Sequence, residues 1–170
     1  MPCKFGHAHV HVKQVTNQTC STACVEMVCR RFGGNFEYAG FQVNFYNACK
    51  PEEGAGLTHG PIRNILTGLG YSCTVHDRSV EDNVGALFRQ GSFPIIAEAL
   101  YKRSDSGTGL HWVVVDGRKE HTLSTDEFCI LDPSQDSVIY AAIPKKGHAT
   151  YDIADGRTLL FTGRMIHVSR

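Results

Sequence analysis

No stretch of this 170-residue chain approaches the roughly 18 to 20 consecutive apolar residues that a membrane-spanning helix needs. Its N-terminal region, dotted with histidines, has no apolar signal-peptide core. The chain is therefore expected to be soluble and made in the cytosol, with secretion by a route independent of a signal peptide left open. Charge of one sign is lacking as well: formal net charge is zero and no block of like charge occurs. Nucleic acid and anionic membrane surfaces are accordingly not expected partners. There is no Cys-x-x-Cys pair. The seven cysteines are odd in number and irregularly spaced. Cys24, Cys29, Cys73 and Cys129 fall on apolar-patterned segments, which fits reduced, buried thiols better than a disulfide framework. What the chain does have is 42% hydrophobic residues, enough for one domain over 1–170 with a real core.

Helical patterns dominate the first half. From Cys20, the residues Cys20, Ala23, Cys24, Met27 and Val28 recur at helical spacing, and Gly33-Gly34 ends the run. A less regular stretch covers Phe36 to Asn47. A second helix is expected from Pro61, with Ile62, Ile65, Leu66 and Leu69 on one face and Gly70 as its stop. A third is expected from Val80 to Gln90, capped by Ser79 with Asp82 three residues on. The second half reads as strands at Phe93 to Leu100, Trp112 to Val115, Phe128 to Leu131, Val138 to Ala142 and Thr158 to Val168. Helices first and an antiparallel sheet second is an α+β pattern, with a cleft between the halves.

Chemistry concentrates at a few of these positions. Cys20 sits in the first turn of its helix, where unpaired N–H groups and the helix dipole favour an anion. Thr19 and Asn17 are acceptable caps just before it. A thiol in that field is a candidate nucleophile. Gln14, on the approach, can donate with the Cys20 N–H to an oxyanion; Gln18 is the second choice, being too close in sequence to swing round the thiol easily. His111 follows the polar, Gly-rich loop 104–109 and begins a very apolar strand, which places it at the sheet's exposed end as a candidate base. Asp132 follows the next apolar run. If the two strands are antiparallel neighbours, it lies beside the histidine and selects its tautomer. A plain turn-capping role in Leu131-Asp132-Pro133 competes with that reading, and Asp116 is less suitable, at the far end of the histidine strand. Trp112 either walls the cleft or packs in the sheet, with packing favoured.

These motifs resemble a known family. Gln14 followed by Cys20-Ser21-Thr22-Ala23-Cys24 is similar to the Gln…Asp-Cys-Gly-x-Ala-Cys signature of the papain-like peptidase domains that process bacteriocin leader peptides. His111-Trp112-Val113-Val114-Val115-Asp116-Gly117 is similar to that family's histidine strand, and Leu131-Asp132-Pro133 to its Asp-Pro. The resemblance covers residues 10 to about 142. Thr19 and Ser21 stand where the family usually has Asp and Gly. The resemblance implies a papain-like α+β fold, with Cys20 as nucleophile, His111 as base, Asp132 as orienter and Gln14 as oxyanion donor. It implies a protein or peptide substrate and no cofactor. Free-standing domains of this kind also resemble bacterial effectors and toxins.

Other functions fit the same residues. A glutamine deamidase, a transglutaminase or an acyltransferase uses the same constellation, and a non-catalytic peptide-binding domain keeps only the cleft. A metal site is the competing class: His7, His9 and His11 alternate, which on a strand places three imidazoles on one face, with Cys3 nearby.

Overall fold

A computed structural model describes Phe5 and residues 10–34, 40–52, 54–79, 82–102 and 108–170. Helices α1 (Cys20–Arg31), α2 (Phe41–Ala48) and α3 (His59–Gly68) precede strand β1 (Ser72–His76) and the short helix α4 (Val84–Arg89). Strands β2 (Ile95–Lys102), β3 (Thr108–Glu120), β4 (Thr125–Leu131), β5 (Ile139–Pro144), β6 (Thr150–Asp152) and β7 (Thr158–Ser169) complete the chain. The strands form a seven-stranded sheet in the order β1-β7-β2-β3-β4-β5, with β6 also pairing β7. Every pairing is antiparallel, so the fold is α+β as expected.

Period-two alternation divides the apolar residues between the two faces of the sheet. Ile96, Trp112, Val114, Ile166 and Val168 pack with Cys24, Val28, Ile62 and Leu66 of the helices. Ile95, Ala97, Val113, Val115 and Met165 join Val84 and Phe88 of α4 in a second core. Helix α1 lies inside the first core, with every residue from Cys20 to Cys29 buried. A helix buried all round is held by packing on every side. Its one buried acid, Glu26, is paired with Arg30 one turn on, at 3.3 Å.

The glycine stop of α3 acts as its sequence suggests. Gly70 adopts φ +94°, and the Tyr71 N–H reaches back to Leu66 O at 3.1 Å. Part of the irregular stretch is in fact helical: in α2, Phe41 packs on Phe45 with ring centroids 4.7 Å apart. The expected helix from Val80 is shorter than its pattern. Residues 80 and 81 lie outside the described residues, and α4 starts only at Val84. Asn83, not Ser79, precedes it, at φ +63°, and exchanges hydrogen bonds with Gly147: the Asn83 N–H donates to Gly147 O at 3.0 Å and its Oδ1 accepts from Gly147 N–H at 3.3 Å. That tether to the turn after β5 competes with helix at 82–83.

Two departures shape the site. Strand β3 begins at Thr108, three residues ahead of His111, because 108–111 pair with 99–102 of β2. His111 is therefore inside a strand and not at its start. Strand β4 joins β3 only from Val114, opposite Leu131, so β3 outruns β4 and leaves a notch beside His111.

Candidate active site

Cys20, His111 and Asp132 meet in that notch. Cys20 is the first residue of α1 and Thr19 occupies the cap position, but no side chain caps the turn. The Thr19 hydroxyl instead accepts from the Thr16 N–H at 3.0 Å and donates to Thr16 O at 3.2 Å. The first-turn amides of α1 thus keep their positive field for whatever faces them. Cys20 is 6% exposed and forms part of the wall of a recess of about 460 Å3.

Asp132 directly follows β4. Its Oδ1 accepts from His111 Nε2 at 2.7 Å, from Ser134 N–H at 2.8 Å and from Ser134 Oγ at 2.7 Å. Its Oδ2 accepts from the Tyr151 hydroxyl at 2.7 Å. Asp132 is fully buried, and its aspartate caps a turn while it binds the imidazole; the two competing readings of this residue describe one geometry. With Nε2 engaged, the other ring nitrogen is left for Cys20, whose thiol is close enough to act on the imidazole.

The electrostatics follow from these contacts. Burial disfavours a charged imidazole at His111, but its bonds to Asp132 and Cys20 and their charges outweigh burial and raise its pKa to about 10. Burial likewise opposes a charged Asp132, yet the bond and charge of His111, with the Ser134 and Tyr151 hydroxyls, bring it down to about 2. Both shifts favour the imidazolium–carboxylate form of the pair. Cys24, one turn into α1, has its pKa raised well above the ordinary thiol range by complete burial and then by Cys20 and Asp132. It belongs to the core.

The N-terminal approach runs along the Asp132 turn. Gln14 N–H donates to Pro133 O at 2.8 Å, Lys13 Nζ to Asp136 at 2.6 Å and His11 Nε2 to Asp132 O at 2.8 Å. Gln42 of α2 ties the approach from the other side, bonding Val15 N–H and Lys13 O. Gln14 Nε2 donates to Thr16 O at 3.0 Å. A carboxamide nitrogen has two protons, so one is left to donate elsewhere. Gln14 lines a recess of about 310 Å3 with His111, Tyr101 and Arg157, while Gln18 lines the Cys20 recess.

The metal reading fares differently. His7, His9 and Cys3 lie outside the described residues, and His11 lies on no strand. Its Nε2 is engaged by a backbone carbonyl. Among the described residues no group of three His, Cys, Asp or Glu side chains is placed to hold a metal ion. Asp116 is paired with Arg31 at 3.3 Å, far from the notch along β3. Trp112 does both things considered for it: it is buried in the core, lines the Cys20 recess, and donates from Nε1 to Leu57 O at 2.8 Å. No described helix is long and apolar enough to cross a membrane.

Two contributors escaped the sequence reading. Ser134 had a usable signal, since a serine two residues after an aspartate is a common Asx-turn partner. Tyr151 had none: it comes from β6, 19 residues beyond Asp132.

An antiparallel α+β chain that holds a cysteine at a helix N-terminus against a His–Asp pair has the equipment of a thiol hydrolase. The sequence model of the Peptidase C39 family matches residues 8–143, and the chain belongs to that family of cysteine peptidases, whose members include the bacteriocin-processing peptidases. No curated protein gives a significant sequence match.

Proposed function

We propose that residues 1–170 form one papain-like cysteine peptidase domain, in which Cys20 is the nucleophile, His111 the general base and acid, Asp132 the orienter and Gln14 an oxyanion donor. The observation that carries the reading is the bridging imidazole. His111 meets Asp132 at 2.7 Å and lies within reach of the Cys20 thiol, and an imidazolium there stabilises negative charge on the sulfur it faces.

The sulfur attacks the carbonyl carbon of a peptide bond. The oxygen gains negative charge and is met by the Cys20 N–H, at the uncapped start of α1, and by the free proton of Gln14 Nε2. His111 gives its proton to the departing amine as the C–N bond breaks, leaving a thioester on Cys20. Water, deprotonated by His111, then releases the acid and the thiol. Asp132 stays ionised throughout and holds Nε2, so that the ring's other nitrogen points at sulfur.

Intact-mass analysis after brief treatment with an epoxysuccinyl thiol inhibitor tests the assignment. Wild type and Cys24→Ala are expected to gain one adduct and Cys20→Ala none. Labelling that ignores Cys20→Ala would sink it. Incubation with a peptide library in 18O-water then separates the reactions of this triad: hydrolysis yields new termini carrying 18O, deamidation a gain of about three mass units on glutamine, as NH2 is replaced by 18OH, without chain cleavage.

A further inference from the structure

The recess that holds Cys20 is lined by uncharged residues with one exception. Asn17, Gln18, Leu57, Thr58 and Trp112 surround it, and Gly54, Gly56 and Gly109 contribute no side chain. Among the described lining residues Glu98 is the only Asp, Glu, Lys, Arg or His. Burying a carboxylate costs free energy unless something binds it, so an acid in the wall of a cleft calls for a reason.

Its surroundings supply half of one. Glu98 lies on β2 directly opposite Trp112, on the face of the sheet that turns towards α1. Strand β7 departs from register with β2 at this residue, which brings both Thr162 and Arg164 to it. Thr162 Oγ1 donates to Glu98 Oε1 at 3.0 Å, and Arg164 Nη1 reaches the same oxygen at 3.4 Å. Both contacts fall on one oxygen, and no described residue donates to Oε2. The residue is only 4% exposed, and it lines the recess. The ladder and the Thr162 bond hold the carboxylate still; Arg164, itself 37% exposed at the side chain, screens it only in part.

The two recesses at the site divide the substrate. His111 must protonate the leaving amine, so the leaving portion lies towards the recess that His111 and Gln14 line. The acyl portion then lies in the Cys20 recess, past Glu98. Resting on the peptidase reading, the geometry points to a substrate class: peptides with a lysine or arginine on the acyl side of the scissile bond, its cation received by Glu98 Oε2. A cation there completes the carboxylate's hydrogen bonding in a site largely closed to water. An acidic residue in the same place meets like charge.

Peptidyl vinyl sulfones place their peptide on the acyl side and alkylate the nucleophilic cysteine without needing a known substrate. Matched probes carrying arginine or its neutral isostere citrulline, at each of the three positions before the warhead, are compared by the second-order rate of Cys20 alkylation. Wild type is expected to favour arginine by about tenfold or more at one position, as a charge-assisted bond implies. Glu98→Gln brings that ratio close to one. Arg164→Gln removes the cation beside the carboxylate, leaves the Thr162 bond in place and raises the ratio, whereas a Glu98–Arg164 pair that serves only the fold leaves it unchanged. Cys20 alkylated equally by both probes in wild type and in Arg164→Gln would overturn the inference and leave the peptidase standing. Cys20 alkylated by neither would overturn both.

Discussion

Asp132 has no exposed surface and yet stays ionised, because four donors converge on its two carboxylate oxygens. Tyr151 supplies the only bond to Oδ2 among the described residues. Tyr151→Phe removes that donor without changing the ring. It is expected to cost about 1–3 kcal/mol of stability, the range for stranding a buried acceptor. Because the carboxylate's ionised form loses a bond, the acid limb of the activity–pH profile moves to higher pH; a purely packing role for Tyr151 predicts no such movement. Asp132→Asn goes further and is expected to lower kcat/KM by about 100- to 10,000-fold, the lower rung being reached if the ring keeps its orientation. The same variant reads the linkage. His111 is raised from 6.5 to about 10, so its share of stability is present below 6.5 and lost as pH rises through 10. Asp132 is lowered from 3.8 to about 2, so its share is present above 3.8 and lost as pH falls through 2. The melting-temperature gap between wild type and Asp132→Asn is therefore expected to be widest between pH 3.8 and 6.5 and to shrink on both sides. A gap that is flat across pH would mean that the pair is not charged in the folded state.

At the scale of elements, the overhang of β3 beyond β4 builds the notch, and Gly109 finishes it. Gly109 lies opposite Tyr101 in the β2–β3 ladder, and a Cβ there would fall 2.4 Å from the Tyr101 ring. The ring is held by the Arg157 guanidinium, 5.4 Å from its centroid, and stands edge-on to His111 at 6.4 Å. It lines both recesses. Gly109→Ala is expected to push the ring aside and raise KM for peptide substrates by about tenfold, as misplaced substrate-positioning groups do. In a Tyr101→Ala background the same change has nothing to displace, so it should add little; full additivity in that double-mutant cycle would refute the account. The helices α1 and α3 were legible in the sequence because their apolar spacing and glycine stops agree. So were the five longer strands, and Cys20, His111 and Asp132 in their order. Residues 108 and 109 read as loop, and only their pairing with 101 and 102 makes them strand. Strands β1 and β6 are half-exposed and short, too weakly patterned to stand out. Asn83 left the helical pattern for a partner 64 residues away, and Tyr151 joined the site from a separate strand. Contacts of that range leave no local mark.

Taken as a whole molecule, the part that matches the family ends at residue 143, but the sheet does not. Strand β7 (158–169) lies between β1 and β2, next to the edge strand β1. It contributes Phe161 and Met165 to one core and Ile166 and Val168 to the other. Without it, β1 loses its only strand neighbour among the described residues and β2 loses the ladder from Ile95 to Leu100. Residues past 143 also carry Tyr151 to Asp132 and Thr162 and Arg164 to Glu98. The tail is thus part of the sheet, of the support of Asp132 and of the surroundings of Glu98 together. A chain ended at residue 143 exposes both cores along one strand, and each fully buried Phe, Ile, Val or Met it forfeits is worth about 1.5–3 kcal/mol. Four such residues approach or exceed the whole stability of an ordinary domain, roughly 5–15 kcal/mol. The truncated chain is expected to give no cooperative urea transition by circular dichroism and no epoxide adduct confined to Cys20. Adding residues 144–170 back as a separate peptide should restore both if strand insertion alone is missing. A cooperative transition in the 1–143 chain would show instead that the first core folds without β7, and that the tail serves only the site.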